Sequence, residues 1–115
     1  MMNLQLNTIL YKSPVGELIM GDFNMEPESP EYCEMAGSKD AYYGRTLRLN
    51  QPVDAQGHAG SRATDSYTWM DPDHRSRRMH LDYCFLSGSL APKLVSSRVD
   101  TAAEGSDHFP LWVEI

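Results

Sequence analysis

Residues 79–87 read MHLDYCFLS, and their side chains fall into two alternating sets. Alternation with a period of two is typical of a β-strand, because successive side chains point to opposite faces of a sheet. One face would carry Met79, Leu81, Tyr83 and Phe85, and the other His80, Asp82, Cys84 and Leu86. The stretch therefore predicts a strand, Met79 to Ser87, in which both faces need a covering layer and Asp82 projects from the middle.

The N-terminal part of the chain predicts a short helix and then another strand. A weak amphipathic pattern marks the helix, which Ser13-Pro14 must end because proline disfavours helical geometry at the residue before it. That pattern consists of Leu4, Leu6, Ile9 and Leu10. The apolar run that follows predicts a strand from Glu17 to Asp22.

A second helix is marked at both of its ends. In Ser29-Pro30-Glu31 the serine can cap the helix, proline suits the first helical position, and the acid lies near the positive end of the helix dipole. Gly37 is its natural stop.

The remaining elements are strands that follow a long irregular stretch. Residues 38–66 have no stable period, which predicts that part of this stretch is a long loop. Short strands are expected at Tyr67–Trp69, Lys93–Thr101 and Phe109–Ile115. The order of elements predicts an α/β fold with one mixed sheet flanked by helices.

Composition limits the classes of function. With 115 residues the chain has room for one domain, and its net charge of −6 does not support broad nucleic-acid binding. No apolar run approaches the roughly 20 residues that span a bilayer, and no secretory signal is evident. A cytoplasmic location without membrane contact is therefore expected. The two cysteines, Cys33 and Cys84, have no metal or redox spacing and are expected to be buried free thiols.

Polar residues at three of the predicted strands could form one site. Asp22 and Asn24 follow the strand that ends at residue 22, Asp82 lies on the 79–87 strand, and Asp107-His108 precede the last strand. If these strands are neighbours, the five residues meet at one edge of the sheet. Crowded carboxylates take up protons or bind a cation, and Mg²⁺ prefers such oxygen ligands.

The residue types indicate one kind of chemistry. An aspartate such as Asp82 would raise the pKa of His108, so that the imidazole could donate N–H groups to an anionic oxygen. Asp22 could orient or deprotonate a water, and Asn24 could contact a phosphoryl oxygen. The group is typical of metal-assisted hydrolysis of a phosphoester.

Three short stretches also carry a family resemblance. They are GDFN at 21–24, LDYCFLS at 81–87 and SDHFP at 106–110. In this order they resemble the C-terminal signatures of the endonuclease/exonuclease/phosphatase superfamily, whose fold is DNase I-like. Each stretch alone is weak, but three in order form a strong signal.

The resemblance implies a role for each matching residue. Asp22 would position or deprotonate the attacking water, and Asn24 would bind the phosphoryl group. Asp82 would orient His108, which would stabilise the transition state. Asp107, with Asp22 and Asn24, would help to hold Mg²⁺ or Mn²⁺. The substrate class stays open between nucleic acids, inositol phosphates and lipids.

The resemblance covers only the second half of the family's domain. Residues 1–115 are therefore expected to form a single partial domain, half of a DNase I-like α/β sandwich, that lacks the half bringing the family's metal-binding glutamate. Glu26 is only a weak substitute for that glutamate, because it lies in a loop of turn-forming residues. One sheet face would be exposed, which predicts a homodimer through that face or a separately encoded first half. The alternative function is a catalytically incomplete dimerising or interaction module that retains the fold.

Overall fold

The computed structural model describes residues 9–40, 42–45 and 51–115. Its main sheet has four strands, namely β1 (Ile9–Lys12), β2 (Glu17–Asp22), β5 (Val53–Asp54) and β8 (Asp82–Leu86). Their order across the sheet is β1-β2-β8-β5, so β8 is an inner strand. The sequence 79–87 therefore supplies the centre of the fold.

The described residues also form three further strand pairs and three short helices. The pairs are β3 (Lys39–Asp40) with β4 (Gly44–Arg45), β6 (Trp69–Met70) with β7 (Arg78–Met79), and β9 (Ser96–Val99) with β10 (Leu111–Glu114). The helices are α1 (Pro30–Ala36), α2 (Ala55–Ala59) and a 3₁₀ helix (Ala91–Lys93). Every strand pair in the described part of the chain is antiparallel, so the prediction of one mixed sheet is wrong in that respect.

The register of β2 on β8 sets the position of two acids. Leu18 lies opposite Leu86, and the pairing continues without a break to Asp22 opposite Asp82. Side chains directly opposite each other on antiparallel strands lie close together. The two carboxylates are therefore brought to the same end of the sheet.

Both faces of β8 are covered. Tyr83 and Phe85 pack in one cluster with Tyr32 and Ala36 of α1. On the other face, a second cluster is formed by Cys84, Leu86, Ala55 and Leu90, with Leu111 and Val113 of β10 packed against it. The predicted alternation is confirmed for residues 83–86. The expected exposed face is wrong at β8, because these four side chains are all buried.

Helix α1 begins and ends where the sequence indicates. The Ser29 hydroxyl accepts a hydrogen bond from the Tyr32 N–H, and Pro30 occupies the first helical position. Gly37 has φ 93°, a value that favours glycine, and its N–H donates to the Cys33 carbonyl.

Two other predictions need correction. Residues 9–12 form strand β1, which pairs with β2, so the expected helix is wrong there; Leu4 and Leu6 lie outside the described residues. The expected strand from Met79 is interrupted at residues 80–81, where Met79 belongs to β7 and Asp82 begins β8. In both places pairing with a distant strand decides the structure.

The stretch 38–66 is more ordered than predicted. Its described residues include β3, β4, β5 and α2, while residues 41 and 46–50 lie outside the description. Both cysteines are free, as predicted, with Cys84 buried and Cys33 partly buried. Among the described helices, none has the length and apolar character to cross a bilayer.

Candidate active site

Asp22 ends β2 and is held by the turn that follows. Its Oδ1 accepts a hydrogen bond of 2.8 Å from the Asn24 backbone N–H. Asn24 has φ 52°, in the left-handed region that asparagine tolerates better than most residues. The turn therefore fixes the Asp22 carboxylate at the strand end and leaves the Asn24 side chain exposed.

Asp82 begins β8 and is positioned by a buried threonine. The Thr68 hydroxyl accepts hydrogen bonds from the Leu81 N–H at 2.9 Å and the Asp82 N–H at 3.0 Å. Thr68 is fully buried. It therefore fixes the backbone at the point where the carboxylate leaves the sheet.

His108 comes from a segment that β6 holds, and not from a strand beside β8. Trp69 forms an isolated β-bridge with His108, and the Phe109 N–H donates to the Thr68 carbonyl at 2.7 Å. Strand β10, which follows, hydrogen-bonds only to β9 among the described strands. The condition that all three strands are neighbours in one sheet is therefore not met, although His108 still reaches the site.

The three side chains meet at short distances. His108 Nδ1 lies 2.8 Å from Asp82 Oδ2, and His108 Nε2 lies 3.8 Å from Asp22 Oδ2. One ligand atom from each residue lies within 4.8 Å of the others. The contact expected between Asp82 and His108 is thus present. The imidazole lies between two carboxylates.

Asp107 and Asn24 lie outside this group of three. Asp107 Oδ2 accepts a hydrogen bond of 3.1 Å from the Trp69 indole, and its backbone carbonyl accepts one of 3.0 Å from Met70. Its side chain is exposed next to His108. Their roles in cation and phosphoryl binding stay predictions.

The pKa values of His108 and its partner Asp82 are both raised, for different reasons. Burial disfavours imidazolium, but the hydrogen bond and charge of Asp82, with the charges of Asp22 and Asp107, outweigh it and raise the pKa of His108. Burial also raises the pKa of Asp82, and the Asp22 charge adds to this, against hydrogen bonds from His108 and Thr68. The proton of this pair is therefore held more firmly than in water.

The donor set fits a hard divalent cation. Two carboxylates at the end of one strand pair repel each other unless a positive charge joins them, and carboxylate oxygen is the ligand such cations prefer. His108 already uses Nδ1 toward Asp82, so its free atom toward Asp22 is Nε2. Asp22 and Asp82 are therefore the best-placed oxygen donors in the group.

A wide cavity in the described part of the chain does not contain this group. It has a volume of about 1210 Å³, and Tyr32, Arg45, Arg62 and His80 are among its lining residues. Glu26 also lines this cavity and is not part of the group Asp22, Asp82 and His108, so its role as a substitute for the metal-binding glutamate stays a prediction. The positions of the carboxylates and the imidazole, and not cavity size, identify the candidate site.

Sequence reasoning missed two supporting residues. The sequence predicts Thr68 only as part of a strand, although a threonine between two aromatic residues points away from both and toward a buried partner. Trp69 is expected from the sequence only as the end of a short strand, yet its indole N–H bonds to a carboxylate. An indole N–H that is partly buried needs such an acceptor, which is the signal available in the sequence.

Comparison with known proteins identifies the family of the chain. The family model described as the Endonuclease/Exonuclease/phosphatase family matches residues 9–108. The chain belongs to this family. Membership supports the assignment of a phosphoester hydrolase-like domain. No curated protein and no solved structure matches the chain.

Proposed function

We propose that this chain catalyses hydrolysis of a phosphoester with the help of a divalent cation, Mg²⁺ or Mn²⁺. The observation that carries the proposal is the position of His108 between Asp82, at 2.8 Å, and Asp22, at 3.8 Å. Family membership supports the same class of reaction.

Asp22 acts on the attacking water. Its Oδ1 is occupied by the Asn24 N–H, which leaves Oδ2 as the oxygen that faces His108. The carboxylate orients a water and accepts its proton as the water oxygen bonds to phosphorus. The P–O bond to the leaving group then breaks, and the departing oxygen takes a proton from solvent.

His108 stabilises the charge that develops on the phosphoryl oxygens. Asp82 accepts the Nδ1–H, which orients the ring and leaves Nε2–H as the donor toward substrate. The raised pKa keeps this proton in place closer to neutral pH. The Asn24 side chain, exposed on the same turn, supplies an uncharged donor to another oxygen.

The cation would be held by carboxylates at the same sheet end. Asp22 and Asp82 lie within reach of one another, and Asp107 and Asn24 complete the set that we propose. When bound, a cation supplies Lewis-acid stabilisation of the phosphoryl oxygens. In its absence the two carboxylates oppose binding of an anionic substrate.

We also propose that the described sheet is half of a DNase I-like sandwich, completed by a second copy or by a separate first half. Apolar side chains on an outer strand support this proposal. Leu10 and Tyr11 on the outer strand β1 are each more than half exposed. Exposed apolar side chains on an edge strand are candidates for burial by a partner.

The test is hydrolysis of bis-p-nitrophenyl phosphate and p-nitrophenyl phosphate by the purified chain with Mg²⁺ or Mn²⁺. Asp22→Ala and His108→Ala are each expected to lower turnover by about 100-fold or more. Asp73→Ala and His74→Ala are matched controls, because both residues are exposed and lie outside the group of three. These controls should keep full turnover.

The oligomeric state is measured by light scattering at the assay concentration. Turnover that requires metal and is lost in both site variants supports the proposal. If no phosphoester is hydrolysed at any cation concentration, the proposal fails for the chain alone. The interaction-module alternative then gains support.

A further inference from the structure

The carboxylate of Asp107 is held by a tryptophan. The Trp69 Nε1–H donates to Asp107 Oδ2 at 3.1 Å, while the next backbone N–H, that of Met70, donates to the Asp107 carbonyl at 3.0 Å. Strand β6 therefore contacts Asp107 through both a side chain and the main chain. A hydrogen bond to an ionised acceptor is stronger than one between neutral groups.

This contact matters because Asp107 is otherwise exposed. Its neighbours Gly105 and Ser106 are exposed too, and no other described residue donates a hydrogen bond to its carboxylate. An exposed aspartate without partners samples several rotamers. With the indole bonded to one oxygen, the carboxylate keeps one orientation beside His108.

We propose that Trp69 is a positioning residue for Asp107, holding this carboxylate toward the candidate cation site. The functional consequence rests on the function proposed above, whereas the hydrogen bond does not. The Trp69 indole acts through Asp107, whereas the Trp69 backbone forms the β-bridge with His108, and the indole touches none of the reacting atoms.

The second tryptophan provides a matched control. A guanidinium lies over each ring, Arg77 at 5.7 Å from Trp69 and Arg98 at 5.8 Å from Trp112. Trp112 is 55% exposed, and no described carboxylate accepts from its indole. The two residues share the stacked cation and differ in the carboxylate acceptor.

The first measurement is the indole N–H resonance of Trp69 by NMR. A Trp112→Phe variant of the whole chain leaves Trp69 as its one tryptophan. In this background Asp107→Asn should shift the indole resonance, because the charged acceptor is lost. Titration with Mg²⁺ should shift it too. An indole resonance that does not move in Asp107→Asn overturns the proposal.

The second measurement is Mn²⁺ affinity by calorimetry, together with the Mg²⁺ concentration that gives half-maximal hydrolysis. Supporting groups of metal ligands typically contribute 10–100-fold to affinity, so Trp69→Phe should weaken cation binding by about tenfold. Trp112→Phe should change neither quantity. In an Asp107→Asn background, Trp69→Phe should have no further effect.

The outcomes separate the two proposals. If Trp69→Phe and Asp107→Asn weaken Mn²⁺ affinity independently, so that their effects multiply in the double variant, the positioning role is overturned. The expected change in Mn²⁺ affinity without any turnover supports the positioning role and contradicts the proposed function. Absence of Mn²⁺ binding to the unmodified chain overturns both. If Trp69→Phe does not fold by far-UV circular dichroism, the Asp107→Asn indole shift decides.

Discussion

Two aspartates at strand ends of the same sheet have opposite surroundings. Asp54, at the end of β5, accepts hydrogen bonds from both terminal nitrogens of Arg62, at 2.6 and 3.1 Å, and from the Tyr32 hydroxyl at 2.6 Å. Its side chain is 4% exposed. Asp82, at the start of β8, is 18% exposed and is paired with His108, close to the like charge of Asp22.

The difference separates a structural charge from a reactive one. Arg62 is permanently charged and binds Asp54 through two parallel hydrogen bonds, so both carboxylate oxygens are satisfied. His108 is charged only when protonated, and Asp22 leaves the group with excess negative charge. The first arrangement stabilises the fold, whereas the second keeps charge available for a cation or a substrate.

Removing the permanent cation should have the largest effect. Arg62→Ala leaves Asp54 charged and buried without its partner, which should lower the free energy of unfolding by about 3–5 kcal/mol. Urea denaturation measures this loss in the free energy of unfolding. Arg77→Ala is the control, because the Arg77 side chain is 68% exposed and lies 3.7 Å from Asp71, so that its loss should cost less than about 1 kcal/mol. If Arg62→Ala and Arg77→Ala lost equal free energy of unfolding, Asp54 would not depend on Arg62 as a buried structural charge.

Replacing each acid by its amide should separate stability from turnover. Asp82→Asn should reduce turnover by about 100-fold, since His108 loses its orienting carboxylate, and should change stability by about 1 kcal/mol or less. Asp54→Asn should mainly destabilise the fold. Parallel kinetic and urea measurements on both variants test this. A strongly unfolded Asp82→Asn variant would show that Asp82 is structural as well.

The two histidines near these aspartates should titrate on opposite sides of the usual pKa. Burial and the Arg62 charge lower the pKa of His80 to about 4, whereas the surrounding carboxylates raise that of His108. NMR titration with a chelator present measures both midpoints, and Asp82→Asn should lower that of His108. A His108 midpoint below that of a free histidine would contradict the assignment.

These shifts give stability effects of opposite sign. The folded state binds the His108 proton more tightly than the unfolded chain, so its contribution is present below about pH 6.5 and is lost as pH rises through the folded pKa. For His80 the folded state favours the neutral imidazole more than the unfolded chain does. Its contribution is present above about pH 6.5 and is lost as pH falls toward 4.

The smallest effect is expected at Asn24. Its φ of 52° is unfavourable for alanine, so Asn24→Ala should lower stability by about 1 kcal/mol. Asn24→Gly should recover that stability because glycine adopts this conformation freely. If the side chain contacts substrate, neither variant recovers turnover. Full turnover in Asn24→Gly would mean that the residue only shapes the turn.

The parts of the fold that local sequence determines were predictable. Ser29-Pro30 and Gly37 mark the ends of α1 through their own backbone chemistry. Alternation identified the centre of β8, and the three short motifs identified the residues that meet as Asp22, Asp82 and His108.

The parts that depend on distant partners were not predictable. Strand β1 exists because it pairs with β2, although its residues also fit a weak helical pattern. Strand β5 has two residues, too few for any periodicity, and is ordered by β8. The pairing of Asp54 with Arg62 follows from that ordering. Likewise, only the tertiary structure shows that β6 carries His108 to the site.

The opposition of Asp22 and Asp82 also affects how the sheet moves. The other pairs of β2 with β8 bring together apolar residues or glycine, and only this last pair brings two carboxylates together. Like charges directly opposite each other weaken a strand pair. The ladder should therefore open first at this end, with amide protons there exchanging faster than at Leu18 and Leu86. The candidate site would then be intact only while this end of the β2–β8 pairing is closed. Any positive charge that joins Asp22 and Asp82 would lengthen the time that the pairing stays closed.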